Sequence, residues 1–214
     1  YLSVSDWADL WIHEGFAVYA EALYLEEKYG IDEYNKFFRK KIIKKIPLTQ
    51  SIVPHRNATI ENVSGLDPYN KGAYVLHMLR YLIGDDKFFE ILSEFLYSKK
   101  QLPNNQVTTK DFIDLVHLKI EYKIDWFFKS YLYEKDYPVL IQKTKHGSNH
   151  TFINLYWEDK NFSMPVEVYY NSNTGLRQQK LSLTNKPTMI AIPQHNKIKI
   201  DPNKRILLTV KNKS

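Results

Sequence analysis

The 214-residue chain contains no cysteine. That excludes disulfides, thiolate nucleophiles and zinc sites built on Cys, so any metal must be held by His, Asp or Glu. It leaves the redox compartment open, because a chain without cysteine is permitted inside and outside the cell. No apolar run approaches the ~18 residues of a membrane-crossing helix, so no membrane span is expected. The chain opens Tyr1-Leu2-Ser3-Val4, with neither an initiator Met nor a charged-then-apolar leader. It therefore reads as a piece of a longer protein whose N-terminal signal region, and hence compartment, is not visible. Excess charge is also scarce: 30 Lys and Arg stand against 24 Asp and Glu, leaving +6. So modest a difference does not imply nucleic acid. No repeat with a period of roughly 20–50 residues is evident.

What the chain does have is apolar material, 43% hydrophobic and 14% aromatic with 16 Tyr, 11 Phe and 4 Trp. That is enough for at least one sizeable core, and the length allows one large domain or two small ones. Up to about Tyr133 the apolar residues recur at helical spacing. From Pro138 onward they alternate in short runs: Phe152–Tyr156, Val166–Tyr169, Lys180–Leu183, Met189–Ile192, Lys197–Ile200 and Ile206–Val210. Runs about ten residues apart, with Asn, Gly and Pro between them, predict a small β-sandwich. The expected class is α+β, with a helical domain over 1–136 and a sandwich over 137–214.

The first helix is expected from about Trp7 to Tyr29, capped by Ser5 or Asp6 and ended by Gly30. It is apolar nearly all round, which predicts burial. Glu14 and Glu21 nevertheless fall in the row of Trp7, Trp11, Val18 and Leu25. A carboxylate inside a core needs compensation, either an ion pair or a metal. His13-Glu14 suggests the zinc motif H-E-x-x-H, but the position of the second His is Ala17. By itself the chain closes no zinc site. Further on, Asp67 is an N-cap candidate and Pro68 suits a first helical turn, with Ala73, Leu76, Leu79 and Ile83 following to Gly84. Tyr69 then sits at a helix N-terminus, as an aromatic anchor or as a hydrogen-bond donor to an oxyanion.

The segment Asp6-Trp7-Ala8-Asp9-Leu10-Trp11-Ile12-His13-Glu14-Gly15-Phe16-Ala17 closely resembles the "DW-x-D-L-W-L-N-E-G-F-A" stretch of the aminopeptidase N family of zinc metallopeptidases, gluzincins that include the leukotriene hydrolases. Pro68-Tyr69-Asn70-Lys71-Gly72 is similar to that family's "P-Y-x-K-G". Val107–Phe112, with Thr108 as N-cap, resembles a late family helix. Trp126–Leu132 with Tyr137–Leu140 resembles the passage from the catalytic domain into a sandwich. The resemblance implies that 1–136 is the helical C-terminal part of a gluzincin catalytic domain. It makes Glu14 the third zinc ligand and Tyr69 the residue that stabilises the tetrahedral intermediate, with H-E-x-x-H just upstream of Tyr1. Glu21 could orient a zinc-binding His from behind. His13, where Asn is commoner in the family, reads first as a hydrogen-bonded helix residue. One zinc ion and a peptide substrate are implied for the full-length enzyme. These residues alone are expected to be inactive and to retain no zinc.

Two further patterns carry less. Lys36, Arg39, Lys40, Lys41, Lys44 and Lys45 accompany Phe37, Phe38, Ile42, Ile43 and Ile46, a pattern more often a solvated face than an anionic-surface binder. The sequons at Asn57, Asn62, Asn149 and Asn161 arise readily by chance. The alternative function is a non-catalytic, peptidase-like scaffold or peptide-binding module.

Overall fold

The computed structural model describes residues 3–46, 51–63, 66–97, 106–194 and 196–213. His195 and Ser64 of the Asn62 sequon lie outside them. The chain divides into two compact units, Tyr1–Asp136 and Tyr137–Ser214. The first is helical and the second is built of strands, which makes the fold α+β.

In the first unit a short strand β1 (Ser3–Val4) pairs in parallel with β2 (Gln106–Val107). The first helix starts later than its periodicity suggests. Trp7–Asp9 form a 3₁₀ turn, and helix α1 runs Leu10–Tyr29. Asp6 is the cap, its Oδ1 accepting the Ala8 N–H at 2.9 Å. Gly30, at φ +87°, ends the helix, where a residue with a Cβ would be strained. Burial of α1 is one-sided: Trp11, Ile12, Gly15, Tyr19 and Ala22 are buried, whereas Trp7 and Tyr24 are exposed. The row carrying Glu14 and Glu21 is therefore not a core row, and its two carboxylates need no compensation for deep burial. Glu21 is exposed and lies 3.8 Å from Lys41.

Helix α2 (Ile31–Lys36) runs into a π-helical turn, Phe37–Ile42. Phe37, Phe38, Ile42 and Ile46 are buried while Lys36, Lys40, Lys41, Lys44 and Lys45 are exposed, a solvated face over a packed one. After α3 (Ile60–Val63), helix α4 (Asn70–Ile83) is buried along most of its length, from Lys71 through Arg80. Asp67 accepts the Asn70 N–H at 2.8 Å, but α4 begins two residues later than an Asp67 cap with Pro68 in the first position would set it: Pro68 and Tyr69 form a turn, and Tyr69 takes the N-cap position. Arg80, nearly buried, holds Glu26 of α1 and Asp85 of helix α5 (Asp85–Tyr97). Helix α6 (Thr109–Lys119) begins with the capping box of Thr108 and Asp111, and α7 (Asp125–Phe128) continues into a π turn, Lys129–Tyr133. Rings of Trp11, Phe16, Phe95 and Phe112 pack edge to face or tilted between α1, α5 and α6.

The second unit holds two sheets. One is four-stranded in the order β7-β4-β3-β9, from β3 (Val139–His146), β4 (His150–Trp157), β7 (Thr188–Pro193) and β9 (Thr209–Lys213). The other is three-stranded, β6-β5-β8, from β5 (Val166–Ser172), β6 (Gly175–Leu181) and β8 (Ile198–Ile200). Two strands differ from the alternation pattern. Gly175–Leu181 is exposed on nearly every residue, so it shows no apolar period. Ile206 and Leu207 are buried outside any strand, and the strand starts two residues later at Thr209. A buried Asp201 explains that offset: at φ +43° it accepts the N–H groups of Arg205 and Ile206, folding the chain into a turn there.

Helices α1 and α4 meet backbone to backbone. A Cβ on Gly15 would lie 2.8 Å from both Cα and C of Gly72, and a Cβ on Gly72 would lie 3.0 Å from the Gly15 Cα. Gly15→Ala should therefore lower stability by roughly 1–3 kcal/mol through overpacking, against a helix-propensity gain of about 1 kcal/mol. Urea unfolding measures it; a neutral or stabilised variant would show that the helices can part without cost.

Candidate active site at the crossing of α1 and α4

The Gly15–Gly72 contact places the residue before Gly15 and the turn before Gly72 side by side. Glu14 and Tyr69 meet there. The Tyr69 phenol is held above its ordinary pKa by partial burial, then by the Glu14 carboxylate, which acts on it both as a charge and as a hydrogen-bond partner. Tyr69 remains about half exposed at 46%, and the Glu14 side chain is 23% exposed. The pair is thus partly screened from solvent yet open to a ligand. His13 Nδ1 lies 3.3 Å from Glu14 Oε1, so the residue that departs from the commoner Asn touches the carboxylate itself. Glu21 does not join the group; it faces Lys41.

Behind Tyr69, Lys71 is fully buried. Burial pulls its ammonium pKa down to about 8, with Asp67 opposing that shift. One turn therefore carries an exposed phenol, a carboxylate bonded to the Asn70 N–H and a buried amine. Lys71 stands inside the Pro68–Gly72 landmark, yet no sequence argument marked it as charged and buried.

A second set of polar residues was missed as well. Asp9, essentially buried, accepts the Thr109 N–H at 2.8 Å and pairs with Arg56 Nη1. Asp6 accepts the N–H groups of Asn57 and Ala58 at 2.7 and 3.1 Å. Trp11 Nε1 donates to Thr109 Oγ1 at 2.9 Å. The polar residues of the Asp6–Trp11 segment thus tie the start of α1 to the loop around Arg56 and to α6. Arg56 is 47 positions from Asp9, a separation at which no spacing rule pairs residues. A cavity of about 600 Å³ opens beside this ion pair, walled in part by Val53, Pro54, His55 and Tyr133; Glu14 and Tyr69 do not line it.

Glu14 has the chemistry of a zinc ligand, a carboxylate oxygen near a ligand-accessible surface. Among the described residues no three His, Cys, Asp or Glu converge on one point.

A helical unit that joins a carboxylate to a tyrosine on two glycine-crossed helices, followed by a unit of strands, defines a class that the comparisons identify. Residues 1–131 match the peptidase family M1 domain. The chain belongs to the M1 peptidase family. It is 31% identical over 97 residues to human endoplasmic reticulum aminopeptidase 2, covering 42% of this chain and 10% of that protein. It is 30% identical over 108 residues to rat aminopeptidase N, covering 45% of this chain and 11% of that protein. Its fold matches the crystal structure of Legionella pneumophila aminopeptidase A in complex with aspartic acid, with TM-score 0.74 and 16% identity over the whole of this chain and 25% of that one. The chain thus spans about a tenth of the curated relatives' length. Family members of full length are hydrolases, metallopeptidases of aminopeptidase type.

Lys71 gives the turn a pH signature. An amine whose folded pKa lies below its ordinary 10.5 costs stability at low pH, and the cost is relieved as pH rises from about 8 toward 10.5. The buried Tyr34 phenol, pushed up to about 12, works in the opposite direction only above about 10. Stability measured by urea between pH 8 and 10 should therefore rise more in the parent than in Lys71→Met; parallel profiles would show that Lys71 titrates normally.

Proposed function

We propose that the full-length protein is a zinc-dependent aminopeptidase that hydrolyses N-terminal peptide bonds. What supports this reading above all is the meeting of Tyr69 with Glu14 in a chain of the M1 family. In it, residues 1–136 are the helical C-terminal part of the catalytic domain and the two sheets of 137–214 form a β-sandwich. Glu14 holds the zinc together with two His of an H-E-x-x-H motif upstream of these residues. Zinc, when bound, polarises the scissile carbonyl and acidifies water.

The remaining roles fall to groups of this chain. Tyr69, like any phenol, keeps its proton at neutral pH, and partial burial and Glu14 raise its pKa further, so it can donate to the oxyanion as the tetrahedral intermediate forms. Asp67, accepting from the backbone N–H and side-chain amide of Asn70, fixes the turn that presents it. His13, against Glu14 Oε1, limits the rotation of the carboxylate. Glu21, facing Lys41, contributes at most by orienting a ligand from behind. The residues that grip the substrate's free amine, like the general base, belong to the upstream part, so these 214 residues alone should not turn over peptide.

In the complete enzyme, Tyr69→Phe should lower kcat by roughly 10²–10³ with zinc content unchanged, the loss expected for one oxyanion donor. Unchanged kcat would reduce Tyr69 to a structural aromatic. Metal analysis should find about one zinc per complete chain, none held stoichiometrically by these 214 residues, and loss of zinc in full-length Glu14→Ala. Zinc retained by that variant would refute the ligand assignment.

A further inference from the structure

The net charge of +6 conceals a division between the two units. Residues 137–214 carry ten Lys and two Arg against four Asp and Glu, a formal +8, whereas residues 1–136 carry eighteen basic against twenty acidic groups, −2. The sheet register gathers part of that charge on one face. Lys143 of β3 stands directly opposite Lys213 of β9, Ile141 stands opposite Lys211, and Lys145 follows two residues along β3 on the same side. Across β4 and β7 the same face continues through Tyr156, Asn154 and Phe152 to Met189 and Ala191. The opposite face is the core, with Leu140, Leu155, Trp157, Ile190 and Ile192 buried; on the lysine face Ile141 is buried as well, so the exposed part of that face runs from Lys143 onward.

Directly opposed like charges destabilise a strand pair, and here the pair is kept. Lysines on an edge strand commonly serve to block edge-to-edge pairing, which accounts for Lys211 and Lys213 on β9. It does not account for Lys143, which stands where β3 is bonded on both sides; Lys145 lies past the last β9 partner and is paired with β4 alone. Lys211 and Lys213 share a single acid, Glu158, at 3.4 and 3.3 Å. Lys143 and Lys145 are exposed and make no ion pair among the described residues.

We infer that this face of the four-stranded sheet is a docking surface for an anionic phospholipid bilayer. Charge complementarity carries the inference, and the composition of the face selects the partner. All four cations are lysines, which act as point charges toward a diffuse layer of headgroups; no arginine stands on the face to fork onto ordered phosphates or base edges. Beside them Met189 is 62% exposed, and Phe152 and Tyr156 are partly exposed, apolar and aromatic groups suited to the headgroup boundary. The contact is peripheral: no described helix is long and apolar enough to cross a membrane. It is independent of the peptidase chemistry and would stand if that assignment failed.

Co-sedimentation of the 214-residue chain with phosphatidylserine–phosphatidylcholine vesicles tests it against vesicles of phosphatidylcholine alone. Binding should require phosphatidylserine and should fall away between about 0.1 M and about 1 M salt, as the screening length shrinks from about 10 to about 3 Å. The variant Lys143→Gln/Lys145→Gln/Lys213→Gln should bind more weakly by about five-fold per lysine. Lys44→Gln/Lys45→Gln, in the basic helical stretch, should bind like the parent, and circular dichroism checks that both variants fold. Equal binding to both vesicle types, full binding by the sheet variant, loss in the helix variant, or tighter binding to duplex DNA than to the vesicles would each overturn the inference.

Discussion

Two glycines with no room for a methyl group between them govern the helical unit. Gly15 and Gly72 let α1 and α4 cross at backbone contact, and the groups proposed for chemistry flank that contact, Glu14 on one helix and Tyr69 in the turn before the other. A carboxylate and a phenol on separate helices can be held in register only if the helices cannot slide or part. Backbone contact supplies that constraint more rigidly than interdigitated side chains, because it has no rotamers to exchange. The cost is that neither position tolerates another residue without moving a helix.

The surrounding network protects the same geometry. Asp6, Asp9 and Trp11 anchor the start of α1 to the Arg56 loop and to α6, while Arg80 ties the last turn of α4 to Glu26 near the end of α1 and to α5. Most of these interactions are charge-assisted or use buried donors, the kind that penalise displacement steeply. The tryptophan-rich segment around Glu14 therefore does two jobs. Its acidic and indole groups are structural, and only its last carboxylate faces the candidate site.

Much of this was legible in the residues. Gly30, Gly84 and the Thr108–Asp111 box mark helix ends through rules that act within a few residues, and they act here as read, whereas α4 starts two residues later than the Asp67–Pro68 pair suggests. The α+β class followed from the change of apolar period near Pro138. Where the sequence misled, the cause was long range or lay in what the pattern omits. The row of Glu14 and Glu21 looked like a core stripe because α1 is apolar on several sides, yet the packed side is the one bearing Gly15, where the partner helix comes closest. Asp9 and Arg56 pair across 47 positions. The strand Gly175–Leu181 has no buried face and so no alternation to detect. The charge division between units was arithmetic open to inspection, but only the register showed which lysines share a face.

On this reading the crossing of α1 and α4 presents Glu14 to a metal and Tyr69 to the reacting carbonyl. Anomalous diffraction at the zinc edge from crystals of the complete protein tests it most directly. The expected result is one zinc with a Glu14 oxygen at about 2.0–2.2 Å and the Tyr69 hydroxyl near the metal but outside its coordination sphere. A zinc ion coordinated without Glu14, or no zinc in a complete and active enzyme, would contradict it.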